Sequence, residues 1–229
     1  MASRIMHFAI ANELQKQVNI KDPQRFCLGI LLPDAYVHSI QAATDSHLKY
    51  TVADGQKKTY RLQWFRETYA QQLQNDDLYL GYYLHLIQDM VFRRFVYDMH
   101  NWDPYPQGNI ERLHNDYKLL NDYLVKQYTL CNTLRVPDDV HKEALFSIYP
   151  FDLPQLQTDF AADFEPYCEG EIFFFTHKMA DEYIAMATQH CIAEMQALQA
   201  GGFTFDEEQW AWDKNPPKKL LKDLLRKGR

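Results

Sequence analysis

The chain has 229 residues, 46% of them apolar and 24% charged, with a formal net charge of −7. That length supports one sizeable core, or a core with a small appendage, and the composition excludes a disordered chain. The acidic balance argues against nucleic acid as a partner, and eight glycines with few alternating runs argue against an all-β or doubly wound fold.

Ser3 precedes a first helical run, RIMHFAIANELQKQV, with Ile5, Phe8, Ala9 and Leu14 recurring at helical spacing. His7, Asn12 and Glu13 interrupt its apolar residues, so it is not a secretory signal. Asp22 and Pro23 open a second helix as N-cap and first helical residue. Pro33 ends it near Leu32, because a proline disfavours helical geometry in its predecessor. Residues 34–55 read as a polar, irregular stretch holding Asp34, His38, Asp45 and His47. A helical pattern covers 57–74, and Asn75-Asp76-Asp77 turns the chain into a central helix over 78–99. NWDPYPQGN is a loop. Helices follow over 110–130 and from Pro137 through Phe146, then a short segment over 156–164. A long helix over 171–200 is closed by Gly201-Gly202.

No run reaches the ~18 apolar residues of a membrane span. The expectation is an all-α fold, one domain of about seven helices over 1–207, in a cytoplasmic protein, followed by a basic tail over 208–229. Cys27, Cys131, Cys168 and Cys191 form no CxxC pair and read as buried, reduced thiols. In the tail, Leu220, Leu221, Leu224 and Leu225 recur among lysines and arginines. That pattern suits peripheral contact with anionic lipid, with Trp210 and Trp212 as interfacial anchors; a solvated or docked tail is the plainer reading, since ~12 residues rarely hold a helix unaided.

The chemistry concentrates in LGYYLHLIQDMVFRRF. His85 and Asp89 are four residues apart, so they share one helix face, among Leu84, Leu86, Ile87, Met90 and Val91. A carboxylate in such surroundings is costly unless it is paired or bound to a metal, and HxxxD suits two ligands of one ion. A satisfied His–Asp hydrogen bond in the core is the competing reading. The same spacing recurs at His177/Asp181 and His190/Glu194, where a plain core or surface role is preferred. His7, Asp34 and His47, from three other segments, complete an inventory for a metal site with a carboxylate as general base. Arg93 and Arg94 follow the ligand helix turn, and one of them is a candidate to face phosphate.

SRIMHFAIA, LGILLPDAY, SHLKY and LGYYLHLIQD, in this order, resemble the zinc-dependent phospholipase C family, and HNDYKLLNDYL resembles its shorter, intracellular-type members; the likeness covers residues 3–123. The resemblance implies a phospholipase C/P1 nuclease-like fold and a cluster of up to three zinc ions. By motif, His7 matches the histidine of the N-terminal helix and Asp34 the carboxylate that acts as base or holds the site. His47, His85 and Asp89 match a zinc-binding trio in which Asp89 bridges. The chain departs from the secreted members, which use an N-terminal Trp and a later HxxxE; here His114 is followed at four residues by Lys118, and His114 with Asp116 stands as the substitute pair. The implied activity is Zn²⁺-dependent hydrolysis of a small-molecule or lipid phosphoester, by one or two ions that activate the attacking water. The alternative is a catalytically degenerate helical binding or scaffold protein on the same fold. An HD-type phosphohydrolase ranks last, because the chain has no His-Asp dipeptide.

Overall fold

The computed structural model describes residues 2–36 and 39–213. Among these, nine α-helices and a small three-stranded sheet form. Helices α1 (Arg4–Gln17) and α2 (Pro23–Leu31) start where the sequence places them. Ser3 accepts a hydrogen bond from the Met6 N–H, and Asp22 accepts from Gln24 and Arg25. A 3₁₀ turn, Leu32–Asp34, follows α2. The stretch expected to be irregular instead contains α3 (Ile40–Ser46), capped by Ser39, and strand β1 (Lys49–Val52). Strand β2 (Lys57–Tyr60) pairs antiparallel with β1, Lys49 opposite Tyr60, so the helical pattern expected from residue 57 begins only with α4 (Leu62–Thr68) and α5 (Ala70–Asn75). Four-residue strands without a regular alternation of exposure are too short to stand out beside the helical run that follows them.

Helix α6 (Asp77–Arg93) is the axis of the core: fourteen of its residues are buried. It is apolar on all sides because α2, α5 and α9 (His177–Gln199) pack around it, while α1 covers α2 and α9. Two glycines set the closest of these contacts. A Cβ on Gly29 would lie 2.1 Å from the Leu78 carbonyl oxygen, and one on Gly81 would lie 2.4 Å from that of Phe26. Backbone therefore touches backbone where α2 crosses α6. The last turn of the central helix widens into a π-helical stretch, Arg94–Met99.

Helix α7 (Asn109–Gln127) follows the loop, and α8 (Leu153–Ala162) lies beyond two 3₁₀ turns, Val140–Lys142 and Ala144–Ser147, where one short helix was expected. The long C-terminal helix starts at His177, six residues later than the pattern suggested; the side chain of Thr176 caps it. Beyond it, β3 (Trp212–Asp213) pairs with β2. Trp212 and Asp213, placed in the tail by the sequence reading, therefore take part in the sheet of the body. Trp210 stacks on Phe205 at 4.4 Å and Trp212 packs on Tyr60 at 5.1 Å, so neither is a free interfacial anchor. The leucines and lysines of the tail lie outside the described residues. Cys27 and Cys191 are buried as expected, whereas Cys131 and Cys168 are exposed, on segments outside the packed helices. No helix among the described residues is long and apolar enough to cross a membrane.

Candidate metal centre

Five side chains from four elements converge in the core. His7 comes from α1, Asp34 from the 3₁₀ turn after α2, His47 from the C-cap of α3, and His85 and Asp89 from α6. All three histidines and Asp89 are wholly buried. Their donor atoms form two groups that could hold a metal ion, His7/His85/Asp89 and Asp34/His47/His85, each with its atoms within 4.8 Å of one another.

Each imidazole is aimed by a bond to its Nδ1. His85 Nδ1 lies 2.7 Å from the Ile30 carbonyl oxygen, His7 Nδ1 lies 2.7 Å from Gln88 Oε1, and His47 Nδ1 lies 2.9 Å from Ser46 Oγ. A carbonyl oxygen accepts and never donates, so His85 carries its proton on Nδ1 and presents a bare lone pair on Nε2. The Gln88 amide, with Oε1 turned to His7, imposes the same tautomer there. The Nε2 atoms of all three histidines are buried without a hydrogen-bond partner. Orphaned polar atoms in a core are rare, and three facing one another call for a ligand.

That ligand must suit two carboxylates. His7 Nε2 stands 3.6 Å from Asp89 Oδ1, His47 Nε2 stands 3.8 Å and His85 Nε2 3.9 Å from Asp89 Oδ2, and His47 Nε2 stands 3.4 Å from Asp34 Oδ1. These separations are too long for good hydrogen bonds. They are close to the ~3.3 Å edges of a tetrahedron whose ligands sit roughly 2.0–2.1 Å from a central ion. Asp89 turns a different oxygen to His7 than to the other two, which suits a bridging ligand. It also accepts from the Ala2 N–H and from the Tyr60 hydroxyl, each at 3.1 Å. Aimed imidazoles with hydrogen-bonded carboxylates are the usual support of a metal site.

The electrostatics agree for two of the three imidazoles. Burial lowers His85 to about 3, with the charge of His7 adding to the effect, and burial and Lys49 lower His47. Both are thereby kept neutral, the state in which imidazole binds metal. Burial would lower His7 as well, but Asp89 outweighs it and leaves His7 raised. Burial alone would raise both carboxylates. His47 and the other imidazoles hold Asp34 well below the ordinary range, and His7 leads the same effect on Asp89. A cation held in their midst would take the place of those protons.

The other expected site residues lie elsewhere. Asp116 is buried on α7, and its carboxylate accepts the N–H groups of Phe173, Phe174 and Phe175 at 2.7–2.8 Å. With its oxygens committed to backbone, it does not serve as a substitute ligand. His114 is exposed beside the Tyr117 ring, and neither residue joins a metal-competent group among the described residues. Asp181 accepts from Tyr123 and Tyr128, and His177 packs on Tyr123. Glu194 accepts from Tyr83, Thr204 and the Phe205 N–H, and His190 packs on Phe205. Those two HxxxD/E pairs are structural. His38 lies outside the described residues. Tyr60 and Gln88 hold the site together but carry no motif; their roles depend on a strand and a tautomer that spacing does not reveal. No family model, curated protein or solved structure matches the chain.

Proposed function

We propose that this protein is a metal-dependent phosphoester hydrolase of the zinc phospholipase C kind, acting on a small-molecule or lipid phosphoester. The reading is supported above all by three buried imidazoles whose Nδ1 atoms are engaged while their Nε2 atoms, without partners, face two carboxylates. His7, His47, His85 and Asp89 would hold the metal. Zinc is the ion proposed because imidazole and carboxylate donors suit it. Bound there, zinc supplies Lewis-acid polarisation of a phosphoryl oxygen and makes water acidic near neutral pH.

The chain's own groups do the rest. The Asp34 side chain is 9% accessible, against 0% for the other four, so it is the member of the cluster that solvent touches. Its carboxylate is ionised at neutral pH and takes the proton of the attacking water. Tyr60 and the Ala2 N–H hold Asp89 in place through the reaction. The complete burial of four donors favours a second reading as well, a catalytically degenerate binding protein in which the metal only organises the core.

One experiment separates these readings. The protein is purified without added metal, its metal content is measured, and hydrolysis of a chromogenic phosphodiester and of phosphatidylcholine is followed through chelation and zinc return. Hydrolysis lost with the metal and restored with zinc supports the enzyme. Bound metal without hydrolysis supports the binding protein. Absence of metal with no uptake of zinc overturns both.

A further inference from the structure

A second chemistry lies one helical turn beyond the cluster. Arg93 follows Asp89 by four residues on α6, about 6 Å along the axis. Its guanidinium stacks over Tyr97 at 4.6 Å and over Trp212 at 4.4 Å, and the neighbouring Arg94 stacks over Trp210 at 4.8 Å. Together with Lys57 these residues line a cleft of about 290 Å³, with the exposed carboxylates of Asp98 and Asp213 also at its wall. In a chain of net charge −7, three cations meeting at one depression is a local reversal of sign.

The arginines differ from those that build the fold. Arg4 is bound to Asp163 at 2.7 Å, and Arg25 bridges Asp76 and Glu143. Arg93 instead has its Nε buried without any hydrogen-bond partner. Two rings lie against its guanidinium, which restricts the plane and leaves the N–H groups for bonding. N–H groups held in this way match the oxygens of phosphate. The backbone here is the π-helical stretch from Arg94 to Met99, with the His100 N–H reaching back to the Phe95 carbonyl at 3.1 Å. Such widened turns are rare and recur at functional sites. Tyr60 separates the two chemistries: its hydroxyl donates to Asp89, and its ring packs on Trp212.

We propose that this cleft binds a phosphate-type oxyanion, separately from the His/Asp cluster, with Arg93 and Arg94 as its principal donors. The binding does not depend on the hydrolase reading, since no group of the cluster lines the cleft.

Tryptophan fluorescence tests it, because Trp210 and Trp212 form the wall. The full-length protein is titrated with inorganic phosphate, and separately with phosphatidylcholine vesicles with and without phosphatidic acid. Both titrations are run with and without chelator and against sodium chloride at matched ionic strength. Expected is a saturable change that survives chelation, shrinks in Trp212→Phe, and needs about tenfold more ligand in Arg93→Gln. Arg94→Gln, at an exposed position, repeats the test without risk to the fold. Saturation by free phosphate alone identifies a soluble ligand, and saturation by phosphatidic acid vesicles alone identifies a lipid headgroup; either supports the cleft. A change that sodium chloride reproduces, that chelation abolishes, or that both arginine substitutions leave intact overturns it.

Discussion

His85 donates its Nδ1 proton to the Ile30 carbonyl oxygen, 2.7 Å away on the neighbouring helix. That bond decides which nitrogen of His85 is bare and points it at Asp89. The carbonyl is free to accept only because Ile30 lies at the end of α2, where the last carbonyl groups of a helix lack intrahelical partners.

Removing either member of the HxxxD pair should empty the site. His85→Ala and Asp89→Ala are each expected to bind no metal after purification and to have no phosphoesterase activity, measured by elemental analysis and a chromogenic phosphodiester. Full metal content in both variants would refute the assignment.

The bond that aims His7 can be weakened without touching a ligand. Gln88→Met keeps the side-chain volume but removes the acceptor for His7 Nδ1. Loss of a group that orients a ligand typically costs 10–100-fold in metal affinity, so zinc competition against a fluorescent chelator should show a decrease of about that size. Equal affinity in variant and parent would mean that the amide does not set the tautomer.

Asp116 gives the opposite pattern. Asp116→Ala leaves three backbone N–H groups without their acceptor, and the buried one alone costs about 1–3 kcal/mol. Urea unfolding should reveal that loss while metal content stays at the parent level. A variant that loses zinc yet unfolds at the parent midpoint would return Asp116 to the ligand set.

High pH should unfold the protein through its buried tyrosines and thiols. Burial raises Tyr60, Tyr82, Tyr117 and Tyr183 well above 10, and it pushes Cys27 up to about 11 and Cys191 up to about 12. Groups raised in this way hold protons in the folded state that the unfolded chain releases. Their stabilisation is complete below the unfolded values, near 9 for thiols and 10 for tyrosines, and is lost as pH rises toward the folded ones. The urea midpoint should therefore fall steadily above pH 9, with tyrosinate absorbance from the buried rings appearing together with unfolding. Full tyrosinate absorbance in a still folded protein would contradict this.

Much of the centre was legible because helical spacing alone puts His85 and Asp89 on one face, and because a buried carboxylate on an apolar helix needs a partner. The motifs also brought out His7, Asp34 and His47, but only tertiary packing could place those three beside the pair. Asp116 misled for the same reason: its partners, Phe173 to Phe175, lie more than fifty residues away, and no local pattern announces them. Tyr60 was hidden in a four-residue strand beside a strong helical run. The α-rich architecture was readable from periodicity, whereas the hairpin and the 3₁₀ turns were too short to generate a period.

The Gly29–Gly81 contact carries the burden of alignment for a centre to which neither residue contributes an atom. A single added methyl group at either position would wedge the two rods apart, and the displacement would travel through one carbonyl to the aim of one lone pair. Tolerance to substitution should thus be lowest at a place that a search for reactive side chains would pass over, and a repair there would require reshaping the partner helix rather than the site.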